Sequence, residues 1–238
     1  MKTEHDQDSA GTKHGDPDAL IARAVSFLQP EMGEPRDYQQ AHKLLAEAAS
    51  LGSMRALHVR ASLIATGSGI KADSLAALAL IQQAAQAGDP LARLQLAVLS
   101  RLVKLPISTA EQLNAEPLIA IRRNFLSKGD CGYLMSIADS RFEPSMIMDP
   151  VTGVRRPDPV RKSDGMSFGP TSEDIVVHAI NHRIATATGT PYSHGEPLHM
   201  LRYRGGQEYR PHGDALPGSG NLRYLVSTTP PLAEDRTN

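Results

Sequence analysis

The stretch "AEAASLGSMRAL", residues 46–57, decides how the first half of the chain folds. It places an Ala-Ala pair ahead of Gly52 and Ala56, and the same spacing recurs 36 residues later in "QQAAQAGDPLAR", residues 82–93. Alanine pairs let two helices approach closely, and a glycine after each pair suits the left-handed conformation that follows a helix end. A period of this length indicates stacked helix pairs.

The repeat extends outward on both sides of these two copies. A weaker copy, "HGDPDAL", aligns Gly15 with Gly52, and "ATGSGIKADSLAAL" supplies a glycine-rich turn with Asp73 or Ser74 as the next helix N-cap. Over residues 15–103 the pattern resembles the Sel-like helical repeats, relatives of the tetratricopeptide family; a plain helical bundle is the alternative. We expect residues 1–14 to be a disordered leader and the repeats to offer a surface to a protein partner.

Composition excludes several classes of protein. The 238 residues suffice for one large domain or two modest ones, and the formal net charge of -1 argues against a nucleic-acid binder. Cys131 is the single cysteine, which fits a reducing compartment. The sequence contains neither an apolar run of the ~18 residues that a membrane span needs nor a signal-peptide centre at its N-terminus. We therefore expect a soluble cytoplasmic protein without nucleic-acid or membrane partners.

A different kind of sequence follows the prolines at positions 106 and 117. "NFLSKGDCGYLMSIAD" contains Ser127 three residues before Asp130, which is a capping-box signature and predicts a helix. Cys131 and Met135 share one face of that helix with Leu134 and Ala138. Cys131 is therefore interpreted as a small buried residue rather than as a nucleophile.

A second helix is predicted from "TSEDIVVHAINHRIATATG", with Thr171 as its N-cap and Gly189 at its end. His178 and His182 lie one turn apart, a spacing that would suit a metal on one helix face. Because both point away from the apolar stripe, solvated histidines are the favoured interpretation.

The stretch "EPLHMLRYRGGQEYRPHGD", residues 196–214, predicts two strands around the turn at Gly205-Gly206. Residues i and i+2 of a strand share a face, so His212 and Asp214 would point the same way, about 7 Å apart. An imidazole and a carboxylate are two of the three ligands in the facial triad of non-haem Fe(II) oxygenases. The tripeptide alone is not decisive, because HGD also occurs at residues 14–16, at a repeat junction.

These blocks, together with "RKSDGMSF" at residues 161–168, resemble the prolyl 4-hydroxylase-like Fe(II)/2-oxoglutarate dioxygenases in wording and order. The resemblance covers about residues 117–223. It implies an α+β chain in which the helical repeats precede a double-stranded β-helix (jelly-roll) domain with flanking helices, over residues 117–238. It also implies that His212 and Asp214 are metal ligands.

The resemblance assigns further site residues by position. Tyr203 matches the tyrosine that hydrogen-bonds the far carboxylate of the co-substrate. Tyr209 either lines the same pocket or packs in the core. Arg161 and Ser163 either contact the peptide substrate or form a polar turn.

The implied chemistry uses Fe(II), 2-oxoglutarate as co-substrate and ascorbate as reductant to hydroxylate a prolyl residue in a peptide. The family pattern also has a distal histidine ligand followed by a lysine or arginine, whereas no histidine follows His212 in this sequence. We therefore expect an incomplete, C-terminally truncated β-helix domain with little activity. The alternatives are an inactive remnant that binds protein through its repeats, and an oxygenase of the same family with a non-peptide substrate.

Overall fold

The computed structural model describes residues 15–30, 34–149, 152–169 and 171–211. Within these ranges the chain forms seven α-helices and seven short strands. The chain is therefore of mixed helix-and-sheet class, as the sequence predicts. The described residues group into two compact units, one drawn from Met1–Phe142 and Met166–Met200, the other from Glu143–Gly165 and Leu201–Asn238. The domain limits predicted from the sequence remain predictions.

Five consecutive helices precede the first strand, and each packs on the next. Their bounds recur with the period of the sequence, because α4 begins and ends 36 residues after α2, and α5 begins 36 residues after α3. The assignment of these helices to the Sel-like repeats stays a prediction. The helices are α1 Pro17–Leu28, α2 Tyr38–Ser50, α3 Met54–Thr66, α4 Ser74–Gln86 and α5 Pro90–Lys104.

The local signals that begin and end these helices recur with the same period. Asp37 and Asp73 cap α2 and α4, and Ser53 and Asp89 cap α3 and α5, each side chain accepting a backbone N–H of the first turn. The glycines predicted to follow the Ala-Ala helices have positive φ, +88° at Gly52 and +99° at Gly88. A side chain at either position would be strained by the backbone itself, since nothing lies within 4 Å of the Cβ position at Gly52 and the nearest atom at Gly88, Arg93 Nη2, is at an ordinary contact distance of 3.8 Å.

Two apolar clusters hold the first unit together. One joins α1 and α2 to Ala56 and Leu63 of α3, and the other extends from α3, α4 and α5 to α6, Lys128–Ala138, and α7, Ile175–Thr188. The buried alanines of the repeat positions let these helices approach closely, as expected. The second cluster includes Ala77, Ile81, Val98, Leu134, Phe168, Val176 and Ile180.

The strands are short and form three small sheets. β1, Glu111–Asn114, pairs antiparallel with β2, Ile119–Ile121, and β4, Met146–Met148, pairs antiparallel with β5, Arg155–Pro157. The third sheet has the order β3–β6–β7. Its strands are β3 Glu143–Pro144, β6 Asp164–Ser167 and β7 His199–Arg202. The jelly-roll arrangement stays a prediction, because the residues after 211 lie outside the described part of the chain.

The structure corrects the predicted face of α6. Ser127 and Asp130 form the predicted capping box, but Cys131 and Met135 are exposed. The buried face is centred on Asp130 and Tyr133. Asp130 can be buried because Arg101 of α5 donates to its Oδ1 from Nε at 3.2 Å and from Nη2 at 3.1 Å.

The start of α7 and the exposure of one of its histidines also differ from the prediction. Asp174, not Thr171, is the N-cap, and its Oδ1 accepts the backbone N–H groups of Val176 and Val177, both at 2.9 Å. Gly189 ends the helix in the left-handed conformation, as predicted. His178 is buried rather than solvated.

Candidate functional site

Four of the six predicted site residues lie in the second compact unit, namely Arg161, Ser163, Tyr203 and Tyr209. The predicted metal ligands, His212 and Asp214, lie outside the described residues. Among residues that the structure does describe, no group of three or more His, Cys, Asp or Glu side chains is arranged to hold a metal ion. The metal-site prediction therefore stays a prediction.

A tight turn presents Arg161. Asp158 Oδ1 accepts the backbone N–H groups of Val160 at 2.8 Å and of Arg161 at 3.0 Å, so its side chain closes the turn in place of a backbone carbonyl. The same carboxylate lies 3.8 Å from Arg161 Nε through Oδ2. One aspartate thus holds both the backbone and the side chain of this arginine.

Arg161 and Tyr209 form an antiparallel bridge. Lys162 N donates to the carbonyl of Glu208 and Arg210 N to the carbonyl of Val160, both at 3.0 Å. The guanidinium carbon of Arg161 lies 5.6 Å from the centre of the Tyr209 ring, within the range of a cation–π contact. The structure therefore brings together a predicted substrate residue and a predicted pocket residue, immediately before the HGD tripeptide.

This pairing differs from the hairpin that the sequence predicts. The Gly-Gly turn is present, with Gly206 at φ +81° and Gln207 N donating to the Arg204 carbonyl at 2.9 Å. In the part of the chain described after the turn, however, residues 208–210 pair with residues 160–162. The intervening sequence gave no signal for this longer-range pairing.

Ser163 is buried, with 4% of its surface exposed. Its hydroxyl lies 3.0 Å from the hydroxyl of Ser145, and its carbonyl accepts the Ser145 N–H at 2.8 Å. The serine pair thus ties the residue before β6 to the residue between β3 and β4. Contact between Ser163 and a substrate stays a prediction.

Tyr203 lies between the end of β7 and the Gly-Gly turn, with 38% of its surface exposed. Its phenol forms no hydrogen bond with any described residue. Its neighbours do form polar contacts, because Arg202 Nη2 donates to Asp164 Oδ2 at 3.0 Å and Arg204 Nη2 lies 3.2 Å from the same oxygen. Sequence reasoning missed Asp164. Residues i and i+2 of an extended segment share a face, so two arginines with this spacing need a nearby negative charge. This spacing of Arg202 and Arg204 was the signal that could have indicated a carboxylate partner.

The histidines of α7 form a compact cluster in the first unit. His178 Nδ1 lies 3.1 Å from the Tyr192 hydroxyl and 3.4 Å from Glu173 Oε1. The rings of His182 and Tyr192 are stacked, with centroids 4.2 Å apart and planes 6° apart. Burial, and then the charge of Glu173, raise the pKa of Tyr192 to about 12, so its phenol stays protonated at neutral pH.

Known proteins similar to this chain were found by comparison of sequences. No protein-family model matches the chain. The chain is 40% identical over 104 residues to probable prolyl 4-hydroxylase 3 of Arabidopsis thaliana, and 36% identical over 113 residues to probable prolyl 4-hydroxylase 10 of the same plant. These matches cover 44% and 48% of this chain. The chain has a prolyl 4-hydroxylase-like region.

The match also covers only part of the length of each relative. The matches span 36% and 39% of the two proteins named above, and 35% of prolyl 4-hydroxylase 5 of Arabidopsis thaliana, which is 36% identical over 104 residues. The chain thus spans well under half the length of the curated relatives that it matches. Within the described residues, every helix is too short or too polar to cross a membrane.

Proposed function

We propose that this chain is an Fe(II)- and 2-oxoglutarate-dependent dioxygenase of the prolyl 4-hydroxylase type, acting on a prolyl residue in a peptide. The observation that carries the proposal is the pairing of Arg161 with Tyr209, because it joins a predicted substrate residue to the segment that precedes His212 in the sequence. The named relatives support the reaction type, since they are called prolyl 4-hydroxylases.

His212 and Asp214 would hold the metal. An imidazole and a carboxylate are donors of the type that Fe(II) takes in its facial triad, so the chemistry of these two residues fits the ion. When bound, Fe(II) with 2-oxoglutarate, oxygen and ascorbate supplies the oxidising chemistry that places a hydroxyl group on a C–H carbon.

The remaining roles fall to side chains of the second unit. The Tyr203 phenol has a proton to donate and no partner among the described residues, so it would bind the far carboxylate of 2-oxoglutarate. The Arg161 guanidinium has five N–H donors and stays charged, which suits it to peptide carbonyls. Ascorbate would enter as a reductant from solution, and a cytoplasmic location would be compatible with the single cysteine.

A second function is favoured by the helices of the first unit. The recurrence of helix bounds and N-caps over 36 residues is typical of arrays that bind other proteins along one face. We propose that this array contacts a protein partner, which would be either the substrate protein or, if the chain is not an active oxygenase, its main ligand.

The test is a turnover assay with Fe(II), 2-oxoglutarate, ascorbate and a proline-rich peptide. We expect slow succinate formation that depends on the peptide, in line with the little activity expected from the sequence, together with peptide molecules that have gained one oxygen atom. His212→Ala should abolish both signals. The matched control is His14→Ala, in the other HGD tripeptide, which should leave both unchanged.

The outcomes separate the candidate functions. Succinate formation that is stimulated by free amino acids and not by the peptide would support a non-peptide substrate. No succinate formation by the unaltered chain, together with capture of a defined partner by the helical array, would favour the binding module.

A further inference from the structure

A single carboxylate oxygen lies against the two arginines that flank Tyr203. Asp164 Oδ2 accepts a hydrogen bond from Arg202 Nη2 at 3.0 Å and lies 3.2 Å from Arg204 Nη2. Residues i and i+2 of an extended segment share a face. Asp164 is therefore a common partner of both arginines, and Tyr203 lies between them in sequence, directly after the end of β7.

Asp164 is better suited to this role than an ordinary surface carboxylate. Its side chain is 13% exposed, whereas that of Arg204 is 66% exposed. An exposed ion pair alone contributes little to order, because solvent screens it. Here one shielded carboxylate lies against two cations only two residues apart and offsets one of their two charges. If this carboxylate were removed, Arg202 and Arg204 would lose the partner that they share.

The backbone of Asp164 is fixed independently of these arginines. Asp164 begins β6, where it pairs with Pro144 of β3. The preceding residue, Ser163, is held through its hydroxyl and its carbonyl by Ser145. The carboxylate that contacts the Tyr203 segment is therefore anchored to the sheet and to the loop that presents Arg161.

We propose that Asp164 is a positioning residue for Tyr203. Its carboxylate holds Arg202 and Arg204 so that the Tyr203 phenol meets the far carboxylate of 2-oxoglutarate. This inference rests on the proposed function and deepens it, because it assigns a determinant of co-substrate affinity.

The test is a double-mutant cycle on the full chain, read out as 2-oxoglutarate affinity by calorimetry with Fe(II) under nitrogen. Tyr203→Phe removes a hydrogen bond to a charged group, and we expect about tenfold weaker binding. Asp164→Asn should weaken binding about threefold or more, and the double variant should bind no more weakly than Tyr203→Phe alone, because Asp164 acts through Tyr203. Asp164→Glu should recover part of the affinity.

The control is Asp149→Asn, which removes a carboxylate 3.4 Å from Arg156 in the β4–β5 hairpin of the same unit. We expect its affinity for 2-oxoglutarate to equal that of the unaltered chain. A turnover assay adds a second readout: Asp164→Asn should raise the KM for 2-oxoglutarate while leaving kcat within about twofold, the pattern of lost ground-state binding.

Each outcome decides the proposal. If the unaltered chain binds 2-oxoglutarate and Asp164→Asn binds it equally well, or if the two substitutions add, Asp164 is not the positioning residue and the proposed function stands. If the unaltered chain does not bind 2-oxoglutarate, the proposed function fails and this inference with it. Should Asp164→Asn fail to fold, the Arg202→Gln and Arg204→Gln double variant replaces it, and unchanged affinity there overturns the inference.

Discussion

Gln95 and Asp174 are joined by a hydrogen bond from Gln95 Nε2 to Asp174 Oδ2, 3.1 Å long. It links the middle of α5 to the N-cap of α7. Tyr133 of α6 completes the contact, since its hydroxyl donates to the same oxygen and lies 3.2 Å from Gln95 Nε2. Burial and then the charge of Asp174 hold the pKa of Tyr133 well above its usual value, so the phenol remains a donor.

The first prediction is that Asp174→Ala destabilises the chain by roughly 2–4 kcal/mol. Loss of an N-cap costs about 1 kcal/mol, and the buried donors of Gln95 and Tyr133 would lose the acceptor that they share, at about 1–3 kcal/mol for the pair. The measurement is the free energy of unfolding in urea. The matched control is Asp73→Ala, because Asp73 caps α4 by one bond to Ala76 N on an exposed surface and should cost only about 1 kcal/mol. Equal losses for the two variants would contradict a buried network.

The second prediction concerns Asp89, which caps α5 and contacts His58. Asp89 Oδ1 lies 2.6 Å from Ala92 N and 3.1 Å from His58 Nε2. Burial raises the pKa of Asp89, but the amides of Ala92 and Leu91 and the neighbouring His58 together bring it below the usual 3.8. A lowered carboxyl pKa contributes stability above the unfolded value, which is lost as the pH falls through the folded value.

We therefore expect Asp89→Asn, which keeps a capping oxygen but removes the charge, to be less stable than the unaltered chain at neutral pH. The difference in unfolding free energy should shrink as the pH falls below 3.8. His58→Gln should remove only part of the same difference, because the hydrogen bond from the Ala92 amide lowers the pKa of Asp89 more than the hydrogen bond with His58 does. A difference that persists undiminished at about pH 2 would show that the effect of Asp89 is not electrostatic.

The third prediction concerns His182, which stacks on Tyr192 and meets the edge of His178 at a centroid distance of 4.6 Å. Burial, and then the charge of His178, lower the pKa of His182 below 6.5, and Glu173 opposes them. The unfolded chain then binds more protons than the folded chain at a pH between the two pKa values. Stability should therefore fall as the pH decreases from about 6.5 toward the folded pKa.

His182→Gln should flatten this part of the stability curve, measured as the thermal midpoint between about pH 7 and pH 5. The control is Thr186→Ala, one turn further along the exposed side of α7, which removes no titrating group and should leave the slope unchanged. An unchanged slope in His182→Gln would assign the pH dependence to another group.

The local signals in the sequence predicted much of the helical part correctly. The capping box of Ser127 and Asp130 and the positive φ of Gly52 and Gly88 were predicted, and Asp73 was one of the two caps predicted for α4, because each feature depends on residues within a few positions of one another. The 36-residue recurrence likewise predicted where the helices repeat, since small residues recur wherever two helices approach closely.

The errors have a common physical cause, which is that a partner distant in sequence changes which residue can be buried. Periodicity placed Cys131 in the core, but Arg101 allows Asp130 to be buried instead. Periodicity also left His178 in solvent, whereas Tyr192 and Glu173 supply the polar contacts that let it be buried. Apolar spacing carries no information about such partners.

The site was predicted only in part, because its contacts also join residues that are distant in sequence. Asp164, the partner of Arg202 and Arg204, was not predicted, because it lies 38 residues before Arg202 in sequence. The pairing of Arg161 with Tyr209 is likewise long-range, and nothing in the turn at Gly205-Gly206 indicates it. The roles of His212 and Asp214 depend on the resemblance to known hydroxylases alone.

The last prediction concerns Tyr209, whose ring lies against the Arg161 guanidinium in the second unit. A cation–π contact at a partly exposed site contributes about 0.5–1 kcal/mol, which corresponds to a two- to fivefold change in affinity. If Arg161 binds the peptide, Tyr209→Ala should raise the peptide KM by about this factor, because the guanidinium loses the ring that orients it. Tyr209→Phe keeps the ring and the backbone bridge, so it is the matched control and should leave the peptide KM unchanged. An equal rise of the peptide KM in both variants would contradict this prediction, because it would mean that the phenol hydroxyl and not the ring is needed. Calorimetry would then test whether the hydroxyl binds 2-oxoglutarate, as expected if Tyr209 lines the co-substrate pocket. In that case both variants would bind 2-oxoglutarate more weakly than the unaltered chain.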